Sequence, residues 1–170
     1  YSQLKGCVGS DVKGKFAVDL WDGEAPGYGK NGTYSGFMYT QRVVSVIQAH
    51  KRAHDERATK ISSSVGDGGD GSAEMQPLFV YAAMQQTHEP EEAPERFSAL
   101  YPASQTPQRR NYNAMASVLD EAIKNITQAL EDAGMWKDTV FVYASDNGGP
   151  SACGAQCPGN NVSRPQARAP

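Results

Sequence analysis

Two places in this chain put hard donors or a titratable ring directly after an apolar run. Residues 139–145 read Thr-Val-Phe-Val-Tyr-Ala-Ser, and Asp146, Asn147, Gly148 and Gly149 follow. A short β-branched and aromatic run is the pattern of a buried strand. A strand ending in Asp146 and Asn147 delivers a carboxylate and an amide oxygen to the carboxyl edge of a sheet. Those oxygens suit a hard cation such as Ca²⁺ or Mg²⁺. The two glycines let the backbone turn away at once or let a ligand come close. Open α/β sheets hold their ligands at this edge. The same residue types also favour a plain Asp-Asn-Gly turn, and both readings stand on this motif alone.

The second place is residues 77–90, PLFVYAAMQQTHEP. Its apolar part, residues 78–84, is continuous rather than alternating, as expected of a strand covered on both faces. It ends on a polar stretch that carries His88. A lone histidine after a strand is ordinarily a loop residue. Two strands that each end in a reactive group are less easily dismissed.

These donors need elements to position them. The clearest is a helix over residues 107–133, with Thr106 as N-cap, Pro107 in the first position and Gly134 just past the end. Met115, Leu119, Ala122, Ile123, Ile126 and Leu130 recur at spacings of three and four and form one apolar stripe. Strand, helix and strand in this order make a right-handed βαβ unit with parallel strands. The stripe then covers the sheet, and His88 converges with Asp146 and Asn147 on one rim. Asp120 and Glu121 are a tempting carboxylate pair, but an interior helical position keeps them far from that rim. A second helix starts at Thr33 or Ser35 and runs to about residue 53, burying Phe37, Val43, Val44 and Ile47. Residues 51–60 either extend it or form a solvated loop. A short strand is expected at residues 15–20. Residues 62–72 read as a flexible Gly/Ser/Asp insert; the spacing of Asp67 and Asp70 matches no EF-hand loop.

Together these stretches resemble the sulfatases of the alkaline-phosphatase superfamily, and most closely the arylsulfatase B type. The resemblance rests on PLFVYAAMQQTHEP and on YNAMASVLDEAIKNITQALEDAGMWKDTVFVYASDNGG; DLWDGEAPGYGKNGTYSGFMYTQRVVSVI fits less closely. It covers roughly residues 15–160. It implies an α/β fold: part of an alkaline-phosphatase-like sandwich with a mainly parallel central sheet flanked by helices. It implies that Asp146 and Asn147 are two ligands of a divalent cation, usually Ca²⁺, and that His88 contacts the sulfate and helps protonate the leaving oxygen. The implied reaction is metal-assisted hydrolysis of a sulfate ester on a sulfated small molecule or glycan. A secretory setting, lysosomal or extracellular, follows from the same resemblance.

The family's nucleophile is a formylglycine made from the Cys of a Cys-x-Pro-x-Arg motif, and this chain has none. Cys7, Cys153 and Cys157 all sit in other contexts. The family's first acidic metal pair, the Lys-His pair after the nucleophile helix and a later basic residue are absent too. The chain therefore reads as an incomplete domain: residues 1–161 as part of a sulfatase catalytic domain, and residues 162–170 as a disordered tail foreign to the family, such as a read-through intron would encode. Two alternatives accompany this reading. One is a phosphodiesterase or phosphonate hydrolase of the same superfamily, disfavoured by Asp-Asn in place of Asp-His. The other is a catalytically dead fragment without its nucleophile.

Composition narrows the rest. Sixteen Lys and Arg against nineteen Asp and Glu leave a net charge of −3, which offers no basic footprint for nucleic acid. No apolar run approaches a membrane span. No signal peptide opens these 170 residues, which start at Tyr1 rather than Met, so targeting information can lie outside them. Cys153 and Cys157 are spaced for a local pair or for two free thiols, and a lone Cys-x3-Cys is a weak zinc signal. Asn31, Asn125 and Asn161 each begin a glycosylation sequon.

Overall fold

No Gly or Pro interrupts residues 37–65, and the longest helix, α1, occupies Ser35–Ser64 in the computed structural model, which describes residues 20–30, 32–64, 73–88 and 90–149. The extension past residue 53 is the solvent-side half of one continuous helix. Ala53, Glu56, Arg57 and Ala58 are good helix formers, and Lys51 pairs with Asp55 one turn on. Ser62, Ser63 and Ser64 belong to this helix as well, so the expected insert loses its first three residues to α1. The remainder of that insert lies outside the described residues. So do residues 15–19 of the expected first strand, all three cysteines, Asn31, Asn161 and the tail.

Before α1 stands a minimal hairpin. Strand β1 (Trp21–Asp22) pairs antiparallel with β2 (Ala25–Pro26), Trp21 opposite Pro26 and Asp22 opposite Ala25. Gly23 takes φ +65° at the first position of the two-residue turn, where a side chain would be strained. Asp22 reaches α1 through an ion pair with Arg42 at 2.9 Å. Both partners are largely exposed, so the pair orients the hairpin more than it stabilises it.

After α1 come a one-turn helix, α2 (Glu95–Ser98), the long helix α3 (Pro107–Asp132) and a 3₁₀ turn at Trp136–Asp138. The ends of α3 follow the reading of the sequence. Thr106 accepts a hydrogen bond from the Arg109 amide, and Pro107 opens the helix. At the far end Gly134 adopts φ +70° and donates to Glu131 O, while Met135 donates to Leu130 O at 2.9 Å. This 5→2 and 6→1 pair is a Schellman motif, and Met135 packs against the Leu130 cluster as such motifs favour.

α3 buries its stripe against α1 rather than against a sheet. Ile47 of α1 meets Ile126, Ala129, Leu130 and Ala133, with Val43, Val44, Leu78 and Met135 around them. A second cluster joins Phe97 to Ala114 and Val118, with Tyr34, Phe37, Ala93 and Tyr101 around it. Met115, Ala122, Ile126 and Leu130 are buried as expected. Leu119 and Ile123 are only half-buried. Ala114, Val118 and Ala129 take their place because small side chains let α1 approach on that side. Fully burying a side chain such as Ile47 stabilises a fold by about 1.5–3 kcal/mol.

The two apolar runs differ from the expected buried strands. Residues 78–84 and 139–145 join no ladder among the described residues. Phe79 is 90% exposed and Tyr81 84%, with Val80 between them at 40%; Val140 and Val142 are 90% and 80% exposed, with Phe141 at 38%. Over residues 79–81 and 140–142 exposure thus alternates with the period of an extended chain. One side of each run leans on the molecule, as Phe141 does on Trp136 at 6.1 Å between ring centroids. The other side is bare, because no neighbouring strand or second layer among the described residues covers it. These two runs are the reason a βαβ unit is not completed here.

Candidate functional site

His88 sits where the first of these runs breaks into a turn. Its amide donates to Gln85 O at 3.0 Å, and its side chain lies at the surface. The Gln86–Thr87 peptide bond inside this turn is cis. The chain beyond His88 is held from two directions. The Tyr34 hydroxyl donates to Glu92 O at 3.0 Å. From α3, the Asn111 side-chain amide donates to Glu91 O at 2.9 Å.

Upstream of His88, Gln86 is held at the start of α1. Its side-chain nitrogen occupies the space a side chain at position 36 would need, with the Tyr34 ring beside it. Gly36 is buried, so glycine there makes the notch that admits Gln86. Burial raises the Tyr34 phenol above the usual tyrosine value; a hydrogen bond from the Gln86 side chain opposes the rise, and the Glu92 carboxylate nearby adds to it. Sequence reasoning missed Tyr34, Gly36 and Asn111. The only local signal was an aromatic residue immediately before a helix, and the partners of Tyr34 lie far along the chain.

Asp146 and Asn147 form an exposed bend after the second run. The Asn147 amide donates to Asp146 Oδ1 at 2.8 Å, the Asn147 side-chain nitrogen donates to Gly148 O at 2.9 Å, and Ser145 Oγ donates to Asn147 O at 2.6 Å. The local geometry is therefore that of the turn these residues favour. The side-chain nitrogen of Asn147 faces Gly148, which turns its oxygen to the opposite side of the amide. A carboxylate and an amide oxygen, both at the surface, fit a hard cation chemically. They are two donors where Ca²⁺ takes six to eight. Among the described residues no three His, Cys, Asp or Glu side chains gather to complete such a set, and none joins His88 to Asp146 in this way.

The remaining carboxylates play other parts. Glu121 pairs with Arg96 at 2.6 Å, and the Arg96 guanidinium lies over the rings of Phe37 and Phe97 at 4.9 and 4.6 Å. This pair ties α2 to both long helices, a structural duty as expected for an interior helical residue. A groove of about 460 Å³ opens between α1 and α3, with Gln41, Gln48, Glu121, Asn125 and Asp132 among its lining. Neither His88 nor Asp146 borders it. The groove and the candidate chemistry are separate features.

A family model described as Sulfatase matches residues 15–168. The chain belongs to the sulfatase family. The match embraces His88, Asp146 and Asn147, and it runs into the segment after residue 161 that the sequence alone set apart. Arylsulfatase J of Mus musculus is 37% identical over 150 residues, which is 87% of this chain and 21% of that protein. This sulfatase chain therefore spans about a fifth of the length of that relative. No solved structure matches it. Membership implies an alkaline-phosphatase-like α/β fold, and sulfatases generally use a divalent cation. No helix among the described residues is long and apolar enough to cross a membrane.

Proposed function

We propose that this chain supplies part of the active site of a sulfate-ester hydrolase, with His88 as leaving-group acid and Asp146 and Asn147 as cation ligands. The observation that carries the reading is the family match spanning both polar run-ends at once. The bare apolar side chains of residues 78–84 and 139–145, Phe79, Tyr81, Val140 and Val142 above all, support a further part of it: in the whole protein these runs are strands of a mainly parallel central sheet. Strand pairing there brings the two run-ends to one rim. The chain is then a portion of a larger catalytic domain, and the formylglycine nucleophile comes from outside these 170 residues. Taken alone, the chain is inactive.

The residues present fit the roles given them. His88 ends its run on an exposed side chain, able to reach a substrate oxygen and hand it a proton. Asp146 and Asn147 offer a carboxylate and an amide oxygen that would hold a hard cation. A bound divalent cation, Ca²⁺ by preference, supplies Lewis-acid stabilisation of charge on the sulfuryl oxygens. The substrate is an aryl sulfate or a sulfated glycan, met in the secretory pathway, the lysosome or the extracellular space. Asn125, exposed on α3, carries a glycan in that setting.

Turnover of matched sulfate and phosphate esters by the full-length protein tests the assignment. Faster hydrolysis of the sulfate ester is expected. Preference for the phosphate ester would move the chain to the phosphodiesterase reading, and hydrolysis of neither would leave it a binding remnant.

A further inference from the structure

The turn that bears His88 is fastened at both of its ends to one side chain of another element. Tyr34 precedes α1, far from His88 in sequence. Its ring lies beside Gln86 above the Gly36 notch, two residues upstream of the histidine. Its hydroxyl holds Glu92 O, four residues downstream. The ring is itself anchored, 5.4 Å from that of Phe37 and packed on the Phe97, Ala114 and Val118 cluster. The fastening thus runs from the buried interface of α1 and α3 to the surface turn, and Asn111 adds a second hold at Glu91 O. A surface histidine on a free loop samples many orientations. One whose flanks are pinned to the core keeps the backbone that carries its ring near a single place, which narrows where the ring can reach.

We propose that Tyr34 is a positioning residue for His88: its phenol clamps the two flanks of the histidine turn and so fixes where the imidazole meets the leaving oxygen. This inference rests on the acid role of His88 proposed above. Tyr34 touches no substrate; it acts through the turn.

The test uses the full-length protein with Tyr34→Phe, which keeps the ring and deletes the hydroxyl, together with His88→Ala and the double variant. Exchange of the His88 amide, which donates to Gln85 O, reads the clamp without turnover. Tyr34→Phe is expected to speed that exchange about five- to tenfold, the factor one net hydrogen bond is worth. Unchanged exchange overturns the clamp. Tyr34→Phe is also expected to lower kcat about 10- to 100-fold for an unactivated sulfate ester, as misplacement of a catalytic group does, with KM little changed. In the His88→Ala background the same substitution is expected to cost almost nothing further, because residues acting through one another are not additive. Equal losses in both backgrounds overturn the positioning role, whatever the change in stability. Full activity in His88→Ala itself would instead sink the acid assignment, a separate failure.

Discussion

The Tyr34 hydroxyl donates to the Glu92 carbonyl oxygen at 3.0 Å across 58 positions of chain. This bond links the residue just before α1 to the loop that follows His88. It ties the backbone downstream of His88 to the packed helix pair. Three expectations concern this link and its surroundings, one concerns the surface of α3, and a fifth concerns the cation.

The first is a pH dependence. Burial raises the Tyr34 phenol above its usual value. Below about pH 10 the phenol is neutral folded and unfolded, so its contribution is fully present; as pH climbs through the raised folded value, the unfolded chain has already ionised and that contribution is lost. Denaturant titrations at about pH 8 and about pH 11 should show a smaller alkaline loss in Tyr34→Phe than in the parent. Parallel losses in the two proteins would mean that the phenol does not carry the effect.

The second concerns the notch. A Cβ at position 36 would run into Gln86 Nε2, reach the Tyr34 ring at 2.9 Å and Val118 Cγ1 at 3.1 Å. Overpacking costs about 1–3 kcal/mol, whereas Gly to Ala within a helix gains up to about 1 kcal/mol. Crowding wins here because Gln86 is itself held against Tyr34. Gly36→Ala should destabilise the chain by about 1 kcal/mol in chemical denaturation. A gain in stability would show that Gln86 moves aside freely.

Much of this was legible from residue order, and the reasons are local. Thr106, Pro107 and Gly134 act through their own backbones, so the ends of α3 could be read directly. Residue order leaves the far end of α1 open, because a charged stretch such as residues 51–60 looks alike as helix and as loop until Lys51 and Asp55 are seen one turn apart. Val118 outranks Leu119 in the core because the stripe faces α1, and no periodicity says which neighbour a stripe will meet. The continuous apolar runs at 78–84 and 139–145 have the pattern of buried strands. Burial needs a covering layer, and apolar content does not supply one. Tyr34 was invisible because its role is defined by Glu92, Gln86 and Gly36 together.

The third expectation concerns the surface of α3. Asn125 is exposed in mid-helix, and Thr127 donates its hydroxyl to Lys124 O without burying the asparagine. Secreted from a glycosylating host, the protein should lose the mass of one glycan on Asn125→Gln, while its stability changes by no more than about 0.5 kcal/mol. An unchanged mass would show the sequon to be unused.

The fourth separates acid from binder at His88. An activated phenolate leaves without much help, whereas an alkoxide needs a proton. His88→Ala in the full-length protein should therefore cost about 10² to 10⁴ in turnover on poor leaving groups and far less on activated aryl sulfates. A uniform loss across the leaving-group series would reduce His88 to a sulfate contact.

The central claim is that the bend at Asp146 and Asn147 is a cation site of a sulfatase and not only a turn. Calcium titration of the full-length protein, followed calorimetrically beside Asp146→Ala, addresses it most directly. The carboxylate is the charged donor of the pair, so the substitution should abolish measurable calcium binding and most sulfate-ester turnover with it. Calcium affinity and turnover that survive Asp146→Ala unchanged would contradict the assignment.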